Sequence, residues 1–257
     1  MKENERITSG IYFEGMTSIR SVLRGFDIGI NNRRIEKLFI DSNSLKSKAK
    51  EISYLNRRQS EFNYDIEYCS KDIIDSLAVG TSHGGIIAKC SDRTFNEYFP
   101  PITNTSFFVM LEGIEDPFNF GYALRSLYAF GADGIILPER NWMSAAGIVC
   151  RSSAGASELL DIYTVDCEKT VEYFKSKGAQ VIATAKENSA PIADIEIRFP
   201  LLLIIGGEKR GISKKIISIS DQIARIDYSR NTNFSLSAAS AAAVLGYEIS
   251  QRKKFVK

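Results

Sequence analysis

Hydrophobic and polar positions alternate along the chain in blocks that predict short strands and amphipathic helices in turn. In the first hundred residues, helical spacing of apolar positions predicts helices, and short apolar runs between them predict strands. The predicted helices are 16–25, 44–59 and 71–78, and the predicted strands are 35–40, 65–69 and 84–90. This alternation is typical of a small α/β unit.

The alternation resumes after residue 105. Strands are predicted at 106–114, 133–138, 161–165, 179–186, 201–208 and 222–227, and helices at 119–131, near 144–152, 167–178, 212–218 and within 233–248. The run LLLIIGGE at 201–208 is continuously apolar up to its glycines, which is typical of a parallel strand buried on both faces. The second part of the chain therefore predicts a mostly parallel sheet covered by helices on both faces.

The last predicted helix carries mainly small side chains. Every residue from Ser237 to Ala243 is Ala or Ser, which suits a helix by propensity but buries little apolar area per turn. Such a helix lets another backbone come close, either for dense packing or to bring main-chain groups to a ligand.

Two prolines interrupt the pattern in SDRTFNEYFPPITNTS, residues 91–106, and such a stretch is typical of a linker. We expect a first domain at 1–98, a linker at 99–104 and a second domain at 105–257. The N-terminus lacks the apolar core of a signal peptide, and no apolar run approaches the roughly 18 residues that span a bilayer. We expect a cytoplasmic protein without a membrane partner.

Cysteine and histidine usage argues against metal and nucleophilic chemistry. The four cysteines lie far apart without a CxxC pair, so we expect no metal site and reduced, structural thiols. His83 is the only histidine in the sequence. It lies beside a predicted strand, where a turn or packing role is expected over a catalytic one.

Charge is unevenly distributed although the net charge is only +2. Residues 20–58 contain ten Lys or Arg against four acidic residues. A basic region of this kind can follow RNA phosphates, and it can also be a solvated helix face. The candidate RNA contacts are Arg20, Arg24, Arg33 and Arg34.

The loop GGEKRGIS at 206–213 has the strand, glycines and helix of a phosphate-binding loop. The Walker A pattern requires Lys and Ser or Thr directly after the last glycine, but Ile212 follows Gly211 here. No strand runs into GxGxxG, so a Rossmann site is also unsupported. What remains is a ligand loop at the carboxyl end of a buried strand.

Three segments together resemble the ordered motifs of the SpoU/TrmH class of SPOUT RNA methyltransferases: DPFNFGYALRSLYAFGADGIIL (116–137), LLLIIGGEKRGIS (201–213) and ARIDYSRNTNFSLSAASAAAVLGYE (224–248). RSSAGASE at 151–158 is similar to a fourth familiar stretch, and the first hundred residues resemble the small RNA-binding domain of many members. The resemblance implies a deep trefoil knot, a homodimer and S-adenosylmethionine as cofactor. On this reading the small-residue helix packs against knotted backbone.

The resemblance also implies the chemistry and its residues: transfer of a methyl group to a ribose 2′-hydroxyl of ribosomal or transfer RNA. Arg125 would clamp a phosphate and stabilise the developing alkoxide, Glu208 would orient Asn119 or Arg125, and Ser235 would shape the site. The candidate catalytic residues are therefore Asn119, Arg125, Glu208 and Ser235. The cofactor contacts, largely main-chain, would be Gly206, Gly207, Glu208, Gly211, Ile226, Ser235 and Leu236.

The third motif departs from the family pattern. Ser237 stands where an asparagine is usual, and Ile226, Asp227 and Tyr228 replace Ile-Pro-Met. These departures keep a rival hypothesis open, a dimeric RNA-binding scaffold of the same fold that has lost methyl transfer. A methyltransferase acting on a base or a small molecule is a third alternative.

Overall fold

Among the described residues, the first sheet has four strands and is flanked by three helices. The computed structural model describes residues 11–81, 83–138 and 145–253, and within them this unit runs β1 (Ile11–Glu14), α1 (Gly15–Asp27), β2 (Ile35–Asp41), α2 (Ala49–Phe62), β3 (Asp65–Cys69), α3 (Lys71–Leu77) and β4 (Ile86–Cys90). The strand order is β1-β4-β2-β3. β4 runs antiparallel to β1 and β2, whereas β2 and β3 are parallel.

The elements of the second unit are β5 (Phe107–Glu112), α4 (Pro117–Ala129), β6 (Gly134–Leu137), α5 (Ala146–Ser152), β7 (Ile162–Thr164), α6 (Cys167–Ser176), β8 (Gln180–Thr184), β9 (Ala190–Pro191), β10 (Leu201–Gly206), α7 (Lys214–Ile219), β11 (Gln222–Arg225) and α8 (Ala238–Lys253). Within the described residues, its sheet has seven strands in the order β7-β6-β5-β10-β8-β11-β9, and every neighbouring pair is parallel.

Continuous apolar runs form the centre of this sheet, because both faces are covered. In β5, Phe107, Val109 and Leu111 pack into the core under α4, α5 and α8. Phe108 and Met110 pack into the core under α6 and α7. Alternate side chains of a strand point to opposite faces, so one strand contributes to two hydrophobic layers. The predicted fold class is confirmed; the trefoil knot stays a prediction.

The predicted elements differ from the structure mainly at short strands and helix ends. β1 and β9 were not predicted; they are four and two residues long, too short to show a period. The last helix begins at Ala238, not within the preceding loop, and continues to Lys253. Residue 144 of the predicted helix near 144–152 and residues 1–10 and 254–257 of the predicted domains lie outside the described residues.

The small residues of α8 let it lie close beside α4. The two helices run in the same direction: Glu208 connects their first turns, and Lys253 at the end of α8 reaches Asp133, just after α4. A Cβ at Gly246 would lie 3.2 Å from Phe130. Small side chains at such positions permit this close approach.

The two units are packed against each other through α5 of the second unit, which lies against β1 of the first. Cys150 and Ala146 of α5 join the hydrophobic core of the first unit. A Cβ at Gly147 would lie 2.0 Å from the Tyr12 carbonyl oxygen. The domain limits 1–98 and 105–257 stay a prediction. Among the described residues, no helix is long and apolar enough to cross a membrane.

Candidate active site

A cleft of about 500 Å³ opens where β8, β10 and β11 end at their carboxyl termini. The loop before α8 and the first turns of α8 form its opposite wall. Carboxyl ends of adjacent parallel strands are the usual ligand position in open α/β sheets. The lining residues are Thr184, Ala185, Lys186, Ile205, Gly206, Gly207, Glu208, Gly211, Ala224, Arg225, Ile226, Asp227, Tyr228, Ser235, Leu236, Ala238, Ala241 and Leu245. Each predicted cofactor contact is among them.

Glycines at the end of β10 are required by close backbone packing. A Cβ at Gly207 would lie 1.9 Å from the Gly113 carbonyl oxygen, and one at Gly206 would lie 2.7 Å from the Gly211 carbonyl carbon. The Gly207 amide donates to the Glu112 carbonyl at 2.6 Å, and the Gly211 amide donates to Gly207 at 2.9 Å. The loops after β5 and β10 therefore lie directly on one another and form the rigid floor of the cleft.

Glu208 joins the beginnings of two helices. Its Oε1 accepts hydrogen bonds from Asn119 Nδ2 in α4 and from the Ala238 amide at the start of α8, both at 3.2 Å. A carboxylate at a helix N-terminus is favoured by the unsatisfied amides and by the helix dipole. Asn119 lies in the first turn of α4, and its backbone N–H donates to Asp116 Oδ2 at 2.8 Å. The structure thus brings Glu208 to Asn119.

A second crevice, of about 100 Å³, lies on the other side of this contact. Glu208 and Ala238 line both the crevice and the cleft, and Asn119 lines the crevice. The Asn119–Glu208 contact therefore stands between two adjacent spaces.

Arg125 is not brought to Glu208 or Asn119. It lies on the exposed face of α4, six residues and about 9 Å of helix rise from Asn119. Within the part of the chain that the structure describes, its guanidinium has no hydrogen bond or ion pair. Of the two possibilities expected for Glu208, the structure shows contact with Asn119 alone.

Two of the unusual residues, Asp227 and Tyr228, form hydrogen bonds to other residues of the same motif. The Asp227 carboxylate accepts from Arg225 Nε at 2.7 Å, so its negative charge has a partner at the cleft. The Tyr228 hydroxyl accepts a hydrogen bond from the Leu236 amide at 2.9 Å. Both residues of the latter pair line the cleft, and the bond closes the loop on itself.

Ser237 caps the last helix. Its Oγ accepts from the Ser240 amide at 3.1 Å, in the third position of α8. Serine and asparagine are about equally good at this position, so the change from the usual asparagine preserves the cap. Ser235 is exposed and lines the cleft, and its role stays a prediction.

Three of the four predicted RNA contacts are exposed and one is not. Arg20 and Arg24 lie one turn apart on α1, and Arg34 lies just before β2. Arg33 is 3 % exposed and forms an ion pair with Glu158 of the second unit, Nε to Oε2, at 3.0 Å. This burial argues against the predicted RNA contact of Arg33, because the side chain is enclosed between the two units.

The histidine and the thiols have structural surroundings. His83 Nδ1 accepts from the Gly85 amide, and Nε2 donates to Asp75, so the ring holds a turn. All four cysteines are free. Burial raises the pKa of the Cys167 thiol to about 12 and raises that of Cys69, Cys90 and Cys150. The described residues contain no cluster of metal-ligating side chains.

Several lining residues were missed from sequence. Thr184, Ala185 and Lys186 line the cleft, and they stand at the end of the predicted strand 179–186. That position was the available signal, because neighbouring parallel strands end at one edge. Ala241 and Leu245 line it from α8, which sequence spacing alone does not indicate.

Two family profiles match the chain. That of the SpoU rRNA methylase family matches residues 106–247. A profile of RNA 2′-O ribose methyltransferase substrate binding matches residues 13–95. The first of these matches covers more than half of the chain and contains the whole cleft.

The chain belongs to the SpoU rRNA methylase family.

Curated relatives agree with this membership. YacO of Bacillus subtilis, whose name places it among TrmH family tRNA/rRNA methyltransferases, is 26% identical over 230 residues, 87% of this chain and 90% of that protein. The 23S rRNA (guanosine-2′-O-)-methyltransferase RlmB of Shewanella oneidensis is 25% identical over 210 residues, 79% of this chain and 85% of that protein.

In fold, the chain is similar to a crystal structure of an RNA 2′-O ribose methyltransferase, with a TM-score of 0.77 and 21% identity over 96% of this chain and 89% of that one. It is also similar to the SpoU methyltransferase AviRb of Streptomyces viridochromogenes, solved with AdoMet, with a TM-score of 0.76 and 18% identity over 96% and 92% of the two chains. The predicted family and its RNA methyltransferase class are confirmed. The residue roles stay predictions.

Proposed function

We propose that this chain transfers the methyl group of S-adenosylmethionine to a ribose 2′-hydroxyl of structured ribosomal or transfer RNA. The observation that carries the proposal is the Glu208 contact, which joins the starts of α4 and α8 beside the cleft at the carboxyl ends of three parallel strands. Family membership supports the reaction class. It does not favour the rival hypothesis of a scaffold without transferase activity.

S-adenosylmethionine fits the large cleft. Small-molecule sites range over about 300–1,000 Å³, and this cleft measures about 500 Å³. Its walls include Gly206, Gly207, Ile226 and Leu236, and the charge of Asp227 is matched by Arg225. The cofactor supplies a methyl group on a positively charged sulfur. In our proposal, the cleft holds the cofactor and the smaller crevice admits the target ribose.

The side chains around the crevice would position the RNA. Glu208 fixes the Asn119 amide group, which then has a donor and an acceptor to offer the ribose. Orientation of two reactants alone can account for a large part of an enzymatic rate enhancement. Arginine carries a permanent charge and is a poor base, so Arg125 would clamp a phosphate and stabilise charge that develops on the hydroxyl oxygen.

A homodimer would explain the position of Arg125. Exposed aromatic and aliphatic side chains share the outer surface of the two parallel helices, Phe118 and Tyr122 on α4 and Val244 and Tyr247 on α8. Arg125 follows Tyr122 by three residues on the same face of α4. A second copy covering this surface would bury the apolar side chains and bring Arg125 to the partner's site.

Contact with RNA would extend to the first unit. Arg20, Arg24 and Arg34 are exposed there, and basic side chains bind nucleic acid by neutralising phosphates. We place the reaction in the cytoplasm, the compartment expected for ribosomal and transfer RNA substrates of this kind.

Methyl transfer tests the proposal directly. The purified chain is titrated with S-adenosylmethionine by calorimetry and then incubated with labelled cofactor and unmodified ribosomal and transfer RNA transcripts. We expect micromolar cofactor binding, about 8 kcal/mol, and label in ribose at one nucleotide, located by mass spectrometry. Label in a base would support the third alternative. RNA binding without any transfer would support the scaffold and overturn our proposal.

Arg125→Ala separates catalysis from cofactor binding. We expect loss of transfer with unchanged cofactor affinity, because Arg125 is not a cleft residue. Arg198→Ala is the matched control. Arg198 is exposed just before the amino end of β10, whereas the cleft lies at the carboxyl end of that strand. An active Arg125→Ala variant would remove the assigned role.

Light scattering tests the dimer. We expect Tyr122→Lys/Tyr247→Lys to convert a dimer to a monomer, while Tyr68→Lys leaves the mass unchanged, because Tyr68 is an exposed tyrosine of the first unit. A monomeric wild-type chain with full transferase activity would refute the dimer.

A further inference from the structure

A polar joint connects the two units, and the proposed reaction does not use it. Three residues of the first unit, Asn31, Arg33 and Arg93, form hydrogen bonds to one short segment of the second, residues 157–160. All three side chains belong to buried residues. The segment includes the end of the RSSAGASE stretch that resembles a family motif.

Glu158 is the centre of the joint. Its Oε2 accepts from Arg33 Nε at 3.0 Å, and both side chains are at most 4 % exposed. Its main-chain carbonyl accepts from Asn31 Nδ2 at 2.7 Å. Asn31 in turn accepts from the Arg33 amide through Oδ1 at 3.0 Å, so the side chain of Asn31 is fixed at both ends.

Arg93 forms the second half of the joint. Its guanidinium donates to the carbonyl oxygens of Ser157 and Leu160 in the second unit and of Ile30 in the first. One planar group with donors in fixed directions therefore joins three carbonyls.

Glycines bring the backbones together around these bonds. A Cβ at Gly25 would lie 2.1 Å from the Glu158 carbonyl oxygen, and one at Gly155 would lie 1.8 Å from Ser21 Oγ. The units therefore cannot slide past one another without breaking hydrogen bonds or creating overlap.

The joint is connected to the proposed active site through α5. A Cβ at Gly121 of α4 would lie 1.9 Å from Ser152 Oγ and 2.8 Å from the Val149 carbonyl oxygen of α5. The segment 157–160 follows α5 after one turn, and α4 carries Asn119 and Arg125. α5 and the segment that follows it therefore connect the joint to the helix that carries Asn119 and Arg125.

Stability alone is a weak reason for such a network. Replacing a buried ion pair by apolar residues of similar volume is often neutral or stabilising. Apolar contact is non-directional, whereas paired charges and hydrogen bonds define one orientation.

We propose that Asn31, Arg33, Arg93 and Glu158 are positioning residues that hold the RNA-binding unit at one orientation to the active site. The substrate is then a folded RNA in which the element bound by the first unit and the target ribose lie at a fixed separation. The inference rests on the proposed function and adds how one nucleotide is selected.

The test compares the wild-type chain with Arg33→Leu/Glu158→Leu and with Arg93→Met. The double variant removes both charges together, so that neither is left buried without a partner. Glu67→Gln is the control, because Glu67 pairs with Lys37 at 2.6 Å on the surface of the first unit alone. Thermal unfolding, cofactor affinity, RNA affinity, kcat and the methylated nucleotide are measured on the transcript that the wild-type chain methylates.

We expect the double variant to remain folded and to bind cofactor and RNA as the wild type does. The kcat should fall by about tenfold or more, because misplacement far from the chemistry costs rate, and methyl groups should spread to neighbouring nucleotides. We expect the same direction for Arg93→Met and no change for Glu67→Gln.

The failures are distinguishable. A double variant that methylates the same single nucleotide at the wild-type kcat would overturn the inference and leave the proposed function intact. A wild-type chain that methylates neither ribosomal nor transfer RNA would overturn both. Loss of folding in the double variant would show that the joint is needed for stability and would also overturn the positioning role.

Discussion

Gly207→Ala tests the floor of the cleft. The added Cβ would lie 1.9 Å from the Gly113 carbonyl oxygen and 2.3 Å from its carbon. Separations under 3.0 Å are essentially never observed for Cβ atoms, so the loops after β5 and β10 must separate by roughly 1 Å. The obstacle is backbone and cannot rotate away. The Gly207 amide would also lose its bond to the Glu112 carbonyl.

Overpacking costs about 1–3 kcal/mol, and a lost hydrogen bond adds about 1 kcal/mol. We therefore expect Gly207→Ala to lower the free energy of unfolding by about 2–4 kcal/mol. For a chain of this size, each kcal/mol lowers Tm by about 2–4 °C. Because Gly207 lines the cleft, the affinity for S-adenosylmethionine should fall by about tenfold, which corresponds to about 1.4 kcal/mol.

Calorimetry and urea unfolding measure both effects, and Gly246→Ala is the matched control. A Cβ there meets the Phe130 and Leu127 side chains at 3.2 and 3.4 Å, which can shift slightly. Replacing a helical glycine by alanine gains about 1 kcal/mol. We expect this variant to be as stable as the wild type and to bind the cofactor equally well. A Gly207→Ala variant with wild-type stability and affinity would refute the close packing of the two loops.

Three further predictions concern the third motif and the thiols. Ser237→Ala should cost about 1 kcal/mol of stability through loss of the cap, and Ser237→Asn should cost nothing measurable by thermal unfolding; equal losses would contradict the capping role. Asp227→Asn should leave cofactor affinity nearly unchanged by calorimetry, since Arg225 already pairs with that carboxylate; a large change would show that Asp227 acts on the cofactor itself. At pH 8 the folded chain should react slowly with a thiol reagent and the unfolded chain quickly, because the pKa of Cys167 is raised to about 12 and the thiolate is the reactive form; rapid labelling of the folded chain would contradict the burial.

The central strands of the second sheet were predictable because β5 and β10 are continuous apolar runs. β5 and β10 contribute to both hydrophobic layers, so almost no polar residue interrupts them. The glycines after β10 then marked the carboxyl edge, where the cleft lies. Local pattern was sufficient here because β5 and β10 are buried at every position except the last.

The burial of Arg33 could not be predicted from sequence. Its partner Glu158 is 125 residues away, and a neighbouring arginine, Arg34, is exposed. Nothing in the local charge pattern separates the two. The role of Ser237 was also hidden, because the start of α8 was placed too early and a cap has meaning only at the true first turn.

The glycines packed between the two units have a consequence for sequence variation. Any missense change of a glycine codon adds at least a Cβ, and at Gly25, Gly147 and Gly155 that atom would lie within 2.1 Å of another atom. In a mutational scan of transferase activity, these three positions should tolerate no replacement. For Arg33 and Glu158, folding should survive their joint replacement better than the replacement of one alone, because a single change leaves the other charge buried without its partner.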